Sequence, residues 1–223
     1  MLYNISDIVK EVKIAIDENV DSTSMEGLPD EDTLKLNEII KSKILDGARI
    51  IETAAPLHLL DSGLAFGESI GWHGQPGYGS GYVHLPDGFM RLVCFQMSDW
   101  DYAVNIAIDE RDPKYQLQRS RFAGVRGTPQ KPVVAITYQP IGLVLEFYST
   151  YAGENAFIKR ARYIPMPRMW NNKIDLCEKL KPAIVYYIAY LTALTSGDGN
   201  LAAALLSTAR ELAEITAQNE NNG

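Results

Sequence analysis

Residues 133–148, "VVAITYQPIGLVLEFY", consist of two apolar runs separated by a short turn sequence. Both runs are rich in β-branched and aromatic residues, which favour the extended backbone of a strand. Pro140 and Gly142 lie between them and favour a tight turn. The stretch therefore predicts a β-hairpin, and it makes an antiparallel sheet the expected architecture for the middle of the chain.

Three neighbouring stretches extend this prediction. Residues 82–97, "YVHLPDGFMRLVCFQM", contain two apolar runs around Asp87-Gly88, a dipeptide typical of a hairpin turn. Residues 102–109, "YAVNIAID", alternate between apolar and other residues, as a half-buried strand does. The run "AFIKRARYI" at 156–164 predicts an edge strand, because its charges disfavour further pairing. We expect an antiparallel sheet of about five strands.

The chain before this sheet predicts two helices. The run "ISDIVKEVKIAID" at 5–17 repeats apolar residues at helical spacing, and Ser6 or Asp7 is placed to cap its start. The second helix opens with Asp30, Glu31 and Asp32, whose carboxylates favour the positive end of a helix dipole. Pro56 ends it. Its apolar stripe is formed by Leu36, Ile39, Ile40, Ile44, Ala48 and Ile51.

The chain after the sheet is helical again. Pro182 conflicts with an uninterrupted helix through this region and predicts a kink or a later start. The segment "SGDGN" at 196–200 breaks the pattern before a last helix. The residues at helical spacing are Leu176, Leu180, Ile184, Ile188 and Leu191 before the break, and Leu201, Leu205, Thr208, Leu212 and Ile215 after it.

The predicted fold class is α+β: an N-terminal helical hairpin and C-terminal helices form a helical bundle, with an inserted antiparallel β-sheet of about five strands. The predicted parts are a helical hairpin over 1–61, a β domain over 62–170 and closing helices over 171–223. Two segments of the β domain, 71–81 and 110–132, lack a regular pattern. They predict long loops that are mobile in the free subunit and ordered on assembly.

Composition and charge exclude several classes of protein. The net charge is −7, and the first 61 residues carry thirteen Asp/Glu against six Lys/Arg, whereas the remainder carries fifteen of each. This balance argues against a protein that binds nucleic acid over its whole surface. No run approaches the roughly 18 apolar residues of a membrane helix. Cys94 and Cys177 lie far apart in apolar runs and predict buried, unpaired thiols. We expect a soluble protein made in a reducing cytoplasm.

The glycine-rich segment at 71–82, "GWHGQPGYGSGY", lacks the order of a phosphate-binding loop. Such a loop leads from a strand into a helix, whose first N–H groups point at the anion. Gly77, Gly79 and Gly81 instead lead into a predicted strand, and no Gly-Lys-Ser/Thr sequence follows. We therefore expect a loop packed by its own aromatic residues.

Three other kinds of site lack the sequence patterns that they require. His58, His73 and His84, with Asp99 or Asp101, have no spacing typical of a zinc site. Ser80 or Cys94 with His84 lacks the Gly-x-Ser-x-Gly elbow of a serine hydrolase. Asp99 and Asp101 form either an acid–base pair on a strand or a polar turn around Trp100, and we favour the turn. We predict no catalytic, metal-binding or cofactor-binding residue and no cofactor.

The segment 110–132 carries six Lys/Arg and two carboxylates, together with Tyr115 and Phe122. Such a loop can bind phosphates and stack on bases. It can equally serve as an arm that meets an acidic protein. The acidic balance of the whole chain favours the second interpretation.

Several stretches carry a resemblance to a known family. The stretches "ISDIVKEVKIAID" and "LPDEDTLKLNEIIKSKILDGARIIETAAP" resemble the first helical hairpin of the head–tail connector, or adaptor, proteins of tailed bacteriophages. The central "YVHLPDGFMRLVCFQMSDW", with "KPVVAIT" and "LEFY", is similar to the ring proteins of crAss-like phages that infect gut Bacteroidales. The stretch "NLAAALLSTARELAEI" is similar to the closing helices of a connector.

The resemblance implies a virion structural protein without catalytic residues. It implies a homo-oligomeric ring, with dodecameric symmetry, in the neck of the particle below the portal protein and beside other neck and tail proteins. Phage DNA would pass through this ring without specific binding. The protein would be made in the host bacterial cytoplasm and would have no membrane contact.

In such a ring we predict contact residues in the two loop segments: Trp72, Tyr78, Tyr82, Arg111, Tyr115, Arg119, Arg121, Phe122 and Arg126. Carboxylates repel the DNA backbone and let it slide, so acidic side chains of the first hairpin are channel-facing candidates. These are Asp17, Glu18, Asp30, Glu31, Asp32 and Glu38, and a solvated outer face is the alternative for them. The other functional class that stays open is an enzyme or small-ligand-binding module built on the β domain.

Overall fold

The computed structural model describes residues 1–17, 30–73, 79–120, 122, 124–151 and 155–215. The chain is mixed α+β, as the sequence predicts. It divides into two compact units. We call Met1–Asp61 together with Met166–Gly223 the helical unit, and Ser62–Pro165 the β unit.

The helices are unevenly divided between the two units. The helical unit contains α1 (Ile5–Asp17), α2 (Asp30–Ala54), α4 (Lys181–Ser196) and α5 (Gly199–Leu212), and the short α3 (Pro113–Leu117) belongs to the β unit. Helix α4 packs against α1, α2 and α5. Because it has neighbours on several sides, its apolar residues are not confined to one stripe.

The apolar stripes predicted for α1 and α2 are confirmed. All five predicted positions of α1 are buried: Ile5, Ile8, Val9, Val12 and Ile16. In α2 the stripe is buried at Ile40, Ile44, Ala48 and Ile51 and only half-buried at Leu36 and Ile39, and the helix ends two residues before Pro56. The predicted cap of α1 is wrong, because the helix begins at Ile5 and both Ser6 and Asp7 lie within its first turn.

Helices α2 and α4 approach closely at Gly47. A Cβ placed on this glycine would lie 2.8 Å from Cγ1 of Ile188, which is closer than real Cβ contacts. Ala48 and Ile188 are fully buried beside it. The small residues of the "DGA" sequence therefore let the two helix backbones pack against each other.

The later start predicted for α4 is confirmed. Pro182 lies in the first turn of α4, where its missing N–H is not needed for a helical hydrogen bond. Leu180 precedes the helix, at the end of a 3₁₀ turn (Glu178–Leu180). At the other end Gly197 has φ 83°, and the Asp198 carboxylate accepts from the Leu201 N–H to cap α5.

The apolar face predicted for α5 is only partly correct. The buried residues are Ala202, Leu205, Ala209 and Ala213, and of the predicted face only Leu205 is among them. Leu212 is 42% exposed. Alanine contributes little to a hydrophobic pattern. The spacing of the leucines therefore predicted a face of α5 that is rotated away from the face that packs on α4.

A small antiparallel sheet in the helical unit was not predicted. Its strands are β1 (Leu2–Asn4), β11 (Lys173–Asp175) and β10 (Met169–Trp170), in that order. The tight turn between β10 and β11 uses Asn171 and Asn172, with φ of 49° and 58°. Asparagine tolerates these angles, which match the twist of a two-residue hairpin.

The β unit holds two sheets. One has five strands in the order β3-β4-β8-β7-β6, and the other has three in the order β2-β9-β5. The strands are β2 (Leu64–Ala65), β3 (Gly71–Trp72), β4 (Gly79–His84), β5 (Phe89–Met97), β6 (Ile108–Asp109), β7 (Val134–Gln139), β8 (Gly142–Thr150) and β9 (Ile158–Pro165). The prediction of one antiparallel sheet of about five strands is thus only partly correct: a five-stranded sheet is present, but its β6 runs parallel to β7, and the other three strands form a second sheet.

The hairpin predicted for 133–148 is confirmed. Strands β7 and β8 are antiparallel, with Val134 opposite Phe147 and Gln139 opposite Gly142. Gly142 has φ 112°, which a side chain would oppose. The hairpin lies inside the five-stranded sheet, with β4 and β6 on its two sides.

The hairpin predicted around Asp87-Gly88 is wrong. Strand β4 pairs with β8, whereas β5 pairs with β9, so the turn joins two different sheets. The turn itself is real, because the Phe89 N–H donates to the Pro86 carbonyl and Gly88 has φ 79°. Both runs bury apolar side chains in the same core, and a local pattern cannot show which strand each will pair with.

Two further strand predictions are corrected. In 102–109 only Val104, bridged to Phe95, and the two residues of β6 pair with other strands, and Ile106 is 83% exposed. Strand β9 pairs with β5 along its length, but among the described residues β2 pairs on the other side only with Arg162 and Tyr163. The prediction of an edge strand is therefore correct for the half that carries Lys159 and Arg160 and wrong for the other half.

The core of the β unit lies between apolar faces contributed by both sheets. Phe95 of β5 and Phe147 of β8 stack at a centroid distance of 5.8 Å, and the Trp100 ring meets Phe95 edge-on at 5.8 Å. Val83, Leu145 and Phe147 are fully buried there.

Cys94 and Cys177 are buried and unpaired, as predicted.

Candidate interaction surface

The loop at 110–132 begins with two successive carboxylate-capped turns. The Asp109 carboxylate accepts from the N–H groups of Arg111 (2.6 Å) and Asp112 (3.0 Å). The Asp112 carboxylate then accepts from the Lys114 N–H at 2.8 Å and caps α3, with Pro113 in its first turn. The Asp-Pro sequence is a helix-start signal that the pattern analysis overlooked.

Helix α3 is held on the sheet by Tyr115. This side chain, predicted to contact a partner, is only 8% exposed. Its hydroxyl donates to Oε2 of Glu146 on β8 at 3.3 Å. Tyr115 therefore anchors the loop to the subunit itself and is not available as a contact residue.

Glu146 is the centre of a buried polar cluster. Oε2 accepts from the hydroxyls of Tyr115 and Tyr148, the latter at 2.5 Å, and Oε1 accepts from Thr137 (3.2 Å) and Gln139 (2.8 Å). Burial raises the pKa of Tyr148, and its hydrogen bond to Glu146 raises it further, so this hydroxyl remains a donor. Four donors on one carboxylate compensate for its removal from water.

The second half of the loop is closed by Gln118. Its Nε2 donates to the Lys114 carbonyl at 2.9 Å, and its Oε1 accepts from the Gly127 N–H at 2.8 Å. A two-way hydrogen bond between the backbones of Thr128 and Lys131 forms the turn that leads into β7. Contrary to the predicted lack of regular structure, the described part of this segment is a compact loop with buried anchors.

Three of the other predicted contact residues of this loop are exposed. Phe122 is 76% exposed, and Arg111 and Arg119 are also exposed. Arg126 is half-buried, and the Arg119 guanidinium lies 6.0 Å from the centroid of the Tyr115 ring. Arg121 lies outside the described residues. Leu117 and Val125 add exposed apolar surface that was not predicted.

Gly71 and Gly81, at the two ends of the segment 71–81, allow close packing. A Cβ on Gly71 would clash with the ring of Tyr82, and a Cβ on Gly81 would lie 2.8 Å from Cζ of Phe147. Trp72 lies opposite Gly81 and its ring meets Phe147 edge-on at 5.5 Å. These aromatic residues pack on their own subunit, in agreement with the expected loop packed by its own aromatics.

Tyr82 lies between two histidine rings on the face of the sheet that also carries Glu146. Its centroid is 5.5 Å from that of His73 and 5.8 Å from that of His84, and its register partner on β8 is Glu146. Half-buried Trp72 and Tyr82 thus contribute less free surface than the prediction assumed. Tyr78 lies outside the described residues.

The residues considered as metal ligands or catalytic groups do not form one site. His58 pairs with Glu214 at 2.9 Å in the helical unit, away in sequence and unit from His73 and His84. Asp99 accepts from the Tyr151 N–H in a turn next to buried Trp100, as the favoured interpretation has it. Within the described ranges no three His, Cys, Asp or Glu side chains are grouped closely enough to hold a metal ion.

The acidic candidates are only partly described. Glu38 is exposed on α2. Asp17 is the last residue of α1, and Asp30–Asp32 form the first turn of α2, but their side chains are not described. Glu18 lies outside the described residues. Among the described helices none is long and apolar enough to cross a membrane.

A second buried carboxylate was missed by the sequence analysis. Glu52 of α2 is 4% exposed, and its Oε1 accepts from the Cys177 N–H at 2.8 Å. Burial raises the pKa of Glu52 from its usual 4.5 to about 7, although the Cys177 N–H opposes this shift. The Cys177 thiol donates to the Leu59 carbonyl at 2.9 Å, so this group of side chains ties the end of α2 to the segment before α4.

No protein-family model matches the chain, and no curated protein sequence matches it significantly.

Proposed function

We propose that this chain is one subunit of a ring at the head-to-tail junction of a tailed bacteriophage particle. The stretches of both helical segments that resemble connector proteins support this function, as do the β-strand stretches that resemble phage ring proteins. In the proposed arrangement the helical unit supplies the connector-like bundle, and the β unit is inserted between its two halves of sequence.

The observation that carries the proposal is the number of large apolar side chains left exposed on the single chain. Isolated exposed apolar residues are normal, but this many large ones favour surfaces that are covered in an assembly. Among the described residues, seven of them are more than 60% exposed: Met1, Ile106, Phe122, Tyr138, Tyr151, Phe157 and Trp170.

The loop at 110–132 suits such an assembly because it is anchored and displays its contact groups. Tyr115 fixes it to β8 and Gln118 closes it on itself, while Phe122, Arg111 and Arg119 face solvent. A preorganised contact surface costs less conformational entropy on binding than a disordered one. Each subunit of a closed ring uses two different surfaces for its two neighbours, and this loop supplies one candidate.

The proposed ring lies below the portal protein, contacts other neck and tail proteins, and lets DNA pass. Acidic side chains of the first hairpin, including exposed Glu38, are the proposed channel lining, and the basic loop faces protein. Carboxylates there would avoid the phosphate contacts that hold DNA in place. The expected location is the neck of the virion.

The alternative class is an enzyme or small-ligand-binding module on the β unit. Such a module would need a polar side chain that is available to bind a ligand or to react. The Glu146 cluster offers a carboxylate, but four donors already occupy its two oxygens. A ligand would have to displace those hydrogen bonds. The geometry therefore favours a structural role for this cluster and an assembly role for the chain.

The test is to mix the purified protein with its cognate portal protein and to view the product by electron microscopy. We expect an annular complex larger than the portal alone, and labelling of this chain in the neck of the virion. A protein that stays monomeric with the portal and does not occur in virions would contradict the proposal.

A further inference from the structure

The long strands of the β unit run between two opposite ends of that unit. At one end β5 and β8 finish and β4, β7 and β9 begin, and the antiparallel pairings place these strand ends together. We call this end the loop pole. The other end carries the β7–β8 turn and the Asp87-Gly88 turn, and we call it the hairpin pole. Strand β8 runs from one pole to the other, and its nine residues span about 27 Å.

The β7–β8 hairpin projects beyond its neighbours at the hairpin pole. Strand pairing with β4 ends at Val144 and pairing with β6 ends at Ile136, both before the turn. Tyr138 and Ile141 lie beyond those points and are 80% and 51% exposed. The Tyr138 N–H donates to Oε1 of Glu110 at 3.1 Å, so the backbone is held there although β6 has already ended. We call Tyr138 and Ile141 the hairpin tip.

Two exposed aromatic side chains are fixed at the loop pole, where the turn around buried Trp100 follows β5. The Tyr151 N–H donates to the Asp99 carboxylate at 2.6 Å. The Ser98 N–H donates to the Phe157 carbonyl at 2.8 Å, and the Phe157 N–H donates to Ser98 Oγ at 3.2 Å. Tyr151 and Phe157 are themselves 70% and 64% exposed, and we call them the aromatic patch.

The charges beside the two surfaces are complementary in the described part of the chain. Exposed carboxylates flank the hairpin tip, whereas exposed cations predominate around the aromatic patch. The carboxylates are Glu110 and Asp87, and the cations are Lys131, Lys159 and Arg160, with Asp101 as an exposed carboxylate among them. Opposite charge at the two poles favours a contact of tip with patch over a contact of two like surfaces.

We propose that the hairpin tip of one copy of this chain docks on the aromatic patch of a second copy. The contact is head-to-tail, because the two surfaces differ and lie at opposite poles of one unit. Successive copies therefore continue in one direction and can close into a ring. The inference rests on the proposed function only in taking the closed ring as the end product.

The contact is small for a protein interface. The exposed parts of Tyr151 and Phe157 amount to roughly 250 Å². A stable complex buries about 800 Å² on each partner. A single contact is therefore weak, and free copies associate at high concentration or when a template holds them side by side.

Two variants of the full chain test the contact, one for each surface. The tip variant is Tyr138→Ser with Ile141→Ser, and the patch variant is Tyr151→Ser with Phe157→Ser. Sedimentation at high micromolar to millimolar concentration should show weak self-association of the unmodified protein. Each variant alone should associate at least about tenfold more weakly, because each has lost one half of the contact. Thermal unfolding checks that both variants remain folded.

Mixing the two variants tests the direction of the contact. The tip variant keeps an intact patch, and the patch variant keeps an intact tip. An equimolar mixture should therefore form a heterodimer with about the affinity of the unmodified contact, and this heterodimer should not extend further. A contact between two like surfaces would instead leave one variant unaffected when it is measured alone.

The matched control removes two exposed apolar side chains from the helical unit. It is Ile14→Gln with Ile50→Gln, at positions that are 54% and 45% exposed on α1 and α2. Glutamine is a good helix former, so the helices should be kept. This variant should associate as the unmodified protein does, because neither residue belongs to the tip or the patch.

Several results would overturn this inference. They are a monomer at every concentration, equal association of all three variants, or a mixture that associates no more than its two components do alone. An annular portal complex that forms equally well with the tip and patch variants would overturn the docking and leave the proposed function standing. Restored association in the mixture without any annular portal complex would support the docking and contradict the proposed function.

Discussion

The hydroxyl of Tyr115 donates to Oε2 of Glu146 across 31 residues of sequence. This hydrogen bond joins a short helix in a polar loop to the middle of the five-stranded sheet. Because both groups are buried, the contact holds the loop at 110–132 in one place. The described part of the loop therefore has a buried anchor at α3.

Loss of this anchor should loosen the loop without unfolding the protein. We expect Tyr115→Phe, which removes one of the four donors to Glu146, to lower the free energy of unfolding by about 1 kcal/mol. Tyr115→Ala should also raise the rate of tryptic cleavage after Arg119 and Arg126. Urea unfolding and limited proteolysis measure the two effects. The control is Tyr138→Phe, which changes a tyrosine that is 80% exposed. Equal cleavage of the unmodified protein, Tyr115→Ala and Tyr138→Phe would contradict the anchor.

Glu146 should matter more than any one of its donors. In Glu146→Ala the hydroxyls of Tyr115 and Tyr148 lose their shared acceptor while remaining buried. We expect a loss of about 3 kcal/mol or more in the free energy of unfolding. Thermal unfolding followed by circular dichroism checks this, and a loss under about 1 kcal/mol would show that the cluster does not stabilise the fold.

Glu52 should make stability depend on pH. Its pKa is raised to about 7 in the folded protein, so the folded state holds this proton more tightly than the unfolded state does. The stabilisation is full below the usual pKa of 4.5 and is lost as the pH rises through 7. Between about pH 5 and pH 8 the contribution of Glu52 should fall by up to about 3 kcal/mol.

The measurement is urea unfolding over that pH range, and Glu52→Gln should flatten the profile relative to the unmodified protein. Glu38→Gln, at an exposed position of the same helix, is the matched control and should leave the profile as it is. Identical profiles for Glu52→Gln and the unmodified protein would show that the buried carboxylate does not set this pH dependence.

Gly81→Ala should be costly although it adds one methyl group. The new Cβ would meet the Gly71 carbonyl oxygen at 2.5 Å and the Phe147 ring at 2.8 Å. We expect a loss of about 1–3 kcal/mol, as for other overpacked sites. Gly124→Ala has no heavy atom within 4 Å of the new Cβ and should be nearly neutral. Thermal unfolding of the two variants side by side is the test, and equal stability would contradict the close packing.

Phe122→Ser combined with Val125→Ser should separate assembly from folding. Both side chains are exposed, so the free energy of unfolding should change by no more than about 0.5 kcal/mol per site. If the loop is an assembly surface, the variant should join the portal complex more weakly. Co-sedimentation with the portal measures this, and undiminished binding would remove the loop from the interface.

The sequence alone determined those features that depend on neighbouring residues. Helix α2 ends ahead of Pro56, α4 ends at Gly197 and the hairpin at 133–148 forms, because each is set by local backbone preferences and by apolar spacing. The burial of Cys94 and Cys177 followed from their apolar surroundings. These signals act within a few residues, so they survive without knowledge of the rest of the fold.

The tertiary structure alone decided which strands pair and which polar groups are buried. Strand β5 pairs with β9 rather than with β4 across the Asp87-Gly88 turn, and β2 covers β9 only at Arg162 and Tyr163. Glu146 and Glu52 are buried because distant donors, on Tyr115 and Cys177, compensate for the loss of water around them. Strand pairing and the satisfaction of buried charge depend on residues tens to more than a hundred positions apart, and no local pattern records which of them will meet.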